Sequence, residues 1–212
     1  MLFRSVGGKA LTEWLAAGLH ERPADELVQH RVRRDGNHFE HTVVVPEALT
    51  DLPRIGVTFT LPSRFTMLRW YGRGPHENYP DRNRSAMFGV WEGSPDEVPY
   101  LVPQEFGLRT DCRWIEFIDP RRDEVIRIDA DSALHFSATH HTASDLFSGT
   151  TATELTARRE LVVHLDHTHR GLGTASCGPD VLPQYRIAAG TYRFGYSVAR
   201  RTRNGRSSAL RQ

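Results

Sequence analysis

Residues 54–61, RIGVTFTL, decide the fold class: Ile55, Val57, Phe59 and Leu61 fall at every second position, with Arg54, Thr58 and Thr60 facing the other way. A period of two places alternate side chains on opposite faces of an extended chain, so the segment is a strand with one buried and one solvated face. Residues 191–198, TYRFGYSV, repeat the pattern, with Tyr192, Phe194, Tyr196 and Val198 set against Arg193, Gly195 and Ser197. Runs at 39–45, 112–118, 125–128, 134–138 and 160–167 are of the same kind, and turn clusters such as Asp35-Gly36-Asn37, Asp119-Pro120-Arg121 and Ala189-Gly190 separate strands. No helix of crossover length lies between them, which predicts an all-β protein, a large antiparallel β-sandwich. Helical spacing is confined to Leu11, Trp14, Leu15 and Leu19, after a cap at Thr12 or Ser5. Residues 142–158 are polar and read as a loop or a helical turn. The predicted organisation is an N-terminal segment at 1–50 with the short helix and a first strand, the sandwich at 35–198, and an arginine-rich, flexible tail at 199–212.

Between the strands, residues 70–110 concentrate aromatics, prolines and charges. Gly72, Gly74 and Pro75 stop a strand, Pro80, Pro95, Pro99 and Pro103 exclude helix, and Trp70, Tyr71, Tyr79, Phe88, Trp91, Tyr100 and Phe106 can tie a long loop to a core. Loops this long in a compact domain carry function or build an interface.

Composition narrows the function class. Twenty-seven basic against 26 acidic side chains leave a net charge of +1, so nothing global draws the chain to nucleic acid or to an anionic membrane. Two cysteines, Cys112 and Cys177, in no metal or redox spacing, fit a reducing cytoplasm. With no apolar run of membrane-crossing length and no leader-like N-terminus, a soluble, unexported protein is expected.

The chemistry-bearing residues are individually weak signals. His164, Asp166, His167 and His169 resemble a metal cluster, but on a strand the first two share one face and the last two the other, so an exposed strand end is the competing explanation. His140 and His141 point in opposite directions on any extended chain. Glu77, Asp81, Glu92, Glu105, Asp111 and Glu116, in or beside the central loop, are candidates for the paired carboxyls of glycoside hydrolysis, though nothing in their spacing brings two together. No nucleophile elbow, dinucleotide fingerprint or P-loop is present.

Three segments in order carry a specific resemblance: WYGRGPHENYPDR, then PYLVPQEFGLRTDCRWIEF, then HLDHTHRGLGTASCGPDVLPQY. Together, from about residue 51 to 198, they resemble the C-terminal domain, or small chain, of the large β-galactosidases of glycoside hydrolase family two. Upstream, WLAAGL looks like the family's preceding stretch, but strand-forming sequence is shortened, so N-terminal truncation is expected. The resemblance implies a supersandwich similar to that of galactose mutarotases, following a central (β/α)-barrel and Ig-like domains. It implies retaining hydrolysis of terminal β-galactosides such as lactose, with catalytic glutamates and magnesium and sodium sites on the barrel. On this basis no catalytic residue and no cofactor is expected within the chain, and the partners are the barrel domain or large subunit, in an oligomer when complete, and the galactoside. A family loop that presents a tryptophan to the sugar or aglycone matches residues 171–180 and places Cys177 at the tryptophan position, beside Ser176 and Gly178. A thiol offers less flat surface for stacking than an indole. Within HENYPDR, the expectation for Glu77, Asn78, Asp81 and Arg82 is organisation of the loop, by satisfying its backbone and one another.

Two other functions fit the class. A freestanding carbohydrate-binding sandwich needs an exposed aromatic platform, for which Trp70, Trp91 and Trp114 are the candidates. A mutarotase-like epimerase needs a His and a Glu in one cleft, with His76, His135 and Glu105 available. A chain that forms one wall of a shared pocket should expose an apolar patch where it meets the rest of the enzyme.

Overall fold

In a computed structural model the described residues are 9–19, 21–95, 100–174, 178–202 and 207–208. In chain order they form α1 (Lys9–Ala16), α2 (Ala24–Leu27), β1 (Gln29–Asp35), β2 (His38–Val45), β3 (Arg54–Pro62), β4 (Met67–Gly74), β5 (Met87–Gly93), β6 (Arg109–Asp119), β7 (Glu124–Thr139), α3 (Ala143–Ser148), β8 (Glu160–His169), β9 (Gly190–Thr202) and β10 (Ser207–Ser208). The fold is all-β, and every strand pairing is antiparallel.

β7 organises the sheet. One edge lies along β6; on the other edge residues 124–130 pair with β9, and residues 135–139 pair with β8. The sheet therefore splits into two leaves, β9–β2–β1 and β8–β3, while β6, β4 and β5 extend it on the far side. The leaves are held together by one core. Ile55, Val57, Phe59 and Leu61 of β3 pack with Leu161, Val163 and Leu165 of β8 against Phe194, Tyr196, Ile115, Phe117, Leu68 and Trp70. The alternation at 54–61 and at 191–198 points to this interior, as expected, and Phe59 meets Phe117 edge to face across it at 6.4 Å between centroids. Burying such side chains stabilises the sandwich by roughly 1.5–3 kcal/mol each.

Several elements differ from expectation, for local physical reasons. The runs at 125–128 and 134–138 are one strand, because the polar residues between them find partners on the sheet surface: Arg127 holds Asp129, and Asp131 accepts from His38 Nε2 at 2.8 Å. The stretch 70–110 is not a single loop. β5 lies inside it, pairing residue for residue with β4, so Tyr71 and Phe88 are half-exposed strand residues rather than anchors. A second edge strand, β1, precedes the turn at Gly36, whose φ of 58° suits the first position of a tight two-residue hairpin. Thr12 lies within α1 and does not cap it; Ser5 is outside the described residues. Of the helix's apolar residues, Trp14 is buried while Leu15 faces solvent. At 142–158 the chain forms α3, whose start is fixed by a reciprocal capping box between Thr142 and Asp145. Residues 199–202 continue β9 rather than beginning a tail, and the backbone of β10 pairs back onto them.

Candidate functional site

Two loops meet at one end of the sandwich: residues 75–86, which join β4 to β5, and residues 170–181, which follow β8. The first is organised by Glu77. Its carboxylate accepts from the amide of Gly107 at 2.8 Å and from the Tyr100 hydroxyl, and pairs with Arg82 at 3.1 Å. Arg82 in turn lies over the Tyr79 ring, 5.3 Å from its centroid. Asn78 is fully buried and works as a cross-link: its amide N–H reaches the Leu108 carbonyl, its Oδ1 accepts from both N–H and hydroxyl of Thr110, and its Nδ2 donates to the His76 carbonyl at 3.0 Å. Burial of Tyr79 raises its phenol far above the ordinary value, so it stays neutral.

Asp81 does something the sequence did not announce. It leaves its own loop and accepts from the amides of Leu172 at 3.0 Å and Gly173 at 2.7 Å. The two quoted motifs HENYPDR and HRGLGT are thereby joined through one carboxylate. Two glycines make room for this: a Cβ on Gly171 would lie 2.7 Å from Asp81 Cγ, and Gly173, at φ 65°, would press a Cβ to 2.7 Å from the Val181 nitrogen.

The neck of the second loop is closed by Arg170, which is 1% exposed. Its Nε bonds Asp51 at 2.9 Å and its Nη2 bonds both oxygens of Asp180 at 2.9 Å, while the Trp14 ring lies beneath the guanidinium, 5.7 Å away, and donates its own N–H to the Asp51 carbonyl. Burial alone would raise the Asp180 carboxyl, but the hydrogen bonds from Arg170 pull it below its usual value. Nearer the tip, Thr174 bonds the Pro179 carbonyl through both N–H and hydroxyl, and the Gly178 amide donates to the Thr174 carbonyl at 2.6 Å. Of the expected pocket residues, Gly178 is therefore placed, exposed at this tip; Ser176 and Cys177 lie outside the described residues.

Behind the loops sits a second buried charge cluster that sequence alone did not assemble. Arg54 pairs with Glu105 and, at 3.6 Å, with Asp166; His169 Nε2 approaches Glu105 at 4.0 Å. His169 Nδ1 faces the Arg170 carbonyl at 2.7 Å, which makes it the protonated nitrogen, and burial together with Arg54 lowers this imidazole to about 4. Burial pushes Asp166 the other way, upward. Among the described residues, no three His, Cys, Asp or Glu side chains are grouped to hold a metal ion. The β8 histidines diverge instead: His167 stacks on Phe194 at 5.5 Å, His169 packs on Tyr79, and His164 bonds Thr58.

Each carboxylate considered for acid or nucleophile chemistry is committed elsewhere. Glu77 and Asp81 hold loop amides, Glu92 pairs with Arg69, Glu105 with Arg54, Asp111 with Arg73, and Glu116 with Arg127 and Arg201. The tryptophans offer no open platform either. Trp70 is core, Trp91 lies against Gly74 and Gly89 with its N–H on the Gly72 and Met87 carbonyls, and Trp114 is covered by Arg127 at 4.3 Å and Arg69 at 5.6 Å. His76, His135 and Glu105 have separate partners: Ser85, the Asp111 amide and Arg54. What the arrangement can do is hold the two ends of the loop after β8 together, and against the 75–86 loop, at one end of the sandwich.

A family model described as beta galactosidase small chain matches residues 12–198. A β-galactosidase of Arthrobacter sp. strain B7 is 39% identical over 155 residues, 68% of this chain and 15% of that protein. Those of Vibrio cholerae, 34% identical over 155 residues, and Kluyveromyces lactis, 31% over 150, cover 72% and 70% of the chain and 14% of each relative. The chain thus spans only 14–15% of the length of these relatives. Matched along most of its length, through both loops that Asp81 joins, the chain belongs to the β-galactosidase small-chain family.

Proposed function

We propose that this chain is the small-chain component of a cytoplasmic β-galactosidase, forming one wall of a pocket in which terminal β-galactosides such as lactose are hydrolysed with retention. The catalytic acid and nucleophile belong to a barrel-bearing polypeptide or segment, as do the magnesium and sodium sites expected of the enzyme. Retaining chemistry needs two carboxyls about 5 Å apart beside the sugar. Here such groups are occupied by amides and guanidinium ions, so the chain contributes shape and contact rather than proton transfer.

The single observation that carries this reading is the bridge from Asp81 to the amides of Leu172 and Gly173, which fixes the start of the loop after β8, the loop whose sequence goes on to Ser176, Cys177 and Gly178, against the HENYPDR turn. Such preorganisation is what a pocket wall needs, since a loop displaced by 1 Å loses contact with the transition state. The test is an assay with a chromogenic β-galactoside on the purified chain alone and mixed with a barrel-bearing large chain. Turnover is expected only in the mixture; turnover by the chain alone, or none in either, rejects the proposal.

A further inference from the structure

The large sheet ends in β1 on one side and β5 on the other, and the two edges are built differently. β1 reads QHRVRRD, and arginines along an edge are a standard guard against pairing with another chain. β5 reads MFGVWEG and carries a single charge. Among the described residues no strand covers its free edge, and Met87, Phe88 and Val90 are 68%, 47% and 50% exposed. On the outer face Val90 sits opposite Tyr71, whose ring meets Phe88 edge to face at 4.9 Å, and a salt bridge between Arg69 and Glu92 at 3.5 Å borders the patch. An aromatic and aliphatic centre with a charged rim is the anatomy of a protein interface.

We infer that the β5 edge and its outer face are the docking surface for the barrel-bearing part of the β-galactosidase. The identity of that partner rests on the function proposed above. Two observations select it as occupant. The matched relatives carry most of their length outside the part that aligns with this chain, so a large polypeptide has to meet it somewhere. The patch is also continuous with the candidate site, because the β4–β5 connection is the 75–86 loop that carries Asp81. A partner completing the pocket at the loop ends runs down β5.

The experiment titrates fluorescently labelled chain into a barrel-bearing β-galactosidase large chain, following binding by anisotropy and turnover with a chromogenic galactoside. Val90→Lys should weaken binding by about thirtyfold or more, the size of an interface hot spot, with circular dichroism and thermal midpoint of the isolated chain unchanged. Val32→Lys, on the guarded edge, should bind as the unmodified chain does. Binding that Val90→Lys weakens, without turnover, supports this surface and removes the galactosidase reading. Turnover that Val90→Lys leaves intact does the reverse. The inference is overturned if Val90→Lys binds normally, if the unmodified chain fails to bind, or if sedimentation shows a dimer of the isolated chain that Val90→Lys dissolves, which makes a second copy the occupant.

Discussion

Asp81 is the residue on which the proposed pocket turns, because one half-buried carboxylate fixes two consecutive amides of another loop. Hydrogen bonds to a charged group contribute on the order of 1.5–3 kcal/mol each, so losing both in Asp81→Ala should lower stability by about 3–6 kcal/mol in urea denaturation. In the assembled enzyme it should also raise KM for the galactoside, because the loop tip is no longer held. An unchanged KM with lowered stability would confine Asp81 to a packing role. Gly171→Ala crowds the same contact from the other side: its methyl would meet both Val181 Cγ2 and the Asp81 carboxyl, at a cost of roughly 1–3 kcal/mol for overpacking. Cys177→Trp should alter galactoside KM and transglycosylation more than stability, since it restores a flat apolar surface; a variant that unfolds with no kinetic signature would make Cys177 a packing residue. At this scale residue types are legible in the sequence and their partners are not. Asp81 looked like a group serving its own turn.

Among the elements, β8 and the loop after it carry the unusual electrostatics. Arg170 is buried between Asp51 and Asp180, and removing one member of a buried ion pair costs about 3–5 kcal/mol because the other is stranded without solvent. Arg170→Met should therefore destabilise by that order, and Arg170→Lys should fail to rescue it, since an ammonium cannot bridge both carboxylates as a planar fork does. The histidines of β7 and β8 set the acid limit. His135 and His169 are held by burial at about 4, against 6.5 for an ordinary imidazole, and His164 lower still at about 2. From pH 6.5 down to about 4 the unfolded chain binds protons that the folded one refuses, so stability should be full above this window and fall within it. Asp166, raised by burial, acts in the opposite sense and moderates the loss. Thermal midpoints measured from pH 7.5 to 4 check this, and His135→Phe should flatten the slope.

Across the whole molecule, the alternation at 54–61 and 191–198 was enough to establish an all-β sandwich, and the three quoted motifs were enough to indicate the family. Both are local properties: side-chain period follows from extended backbone geometry, and motif text is contiguous. Less was legible where the polar surface decided matters. β7 reads as broken at 129–133 because those positions are polar, yet the strand continues, with Asp129 held by Arg127 of the same strand and Asp131 by His38 of β2, and β5 is hidden among glycines and prolines that resemble loop punctuation. The candidate site was legible only as two separate motifs. Their meeting depends on the split of the sheet at β7, which carries the end of β8 to the loop after β4. Arg170 and Asp51 are 119 residues apart, and Asp81 and Gly173 are 92 apart. The sequence by itself determined which faces of the strands are buried and which family the motifs belong to. Tertiary structure alone decided which carboxylate holds which amide or guanidinium, because burial turns an ordinary surface charge into one that must find a partner, and only the packed leaves say which partner lies within reach.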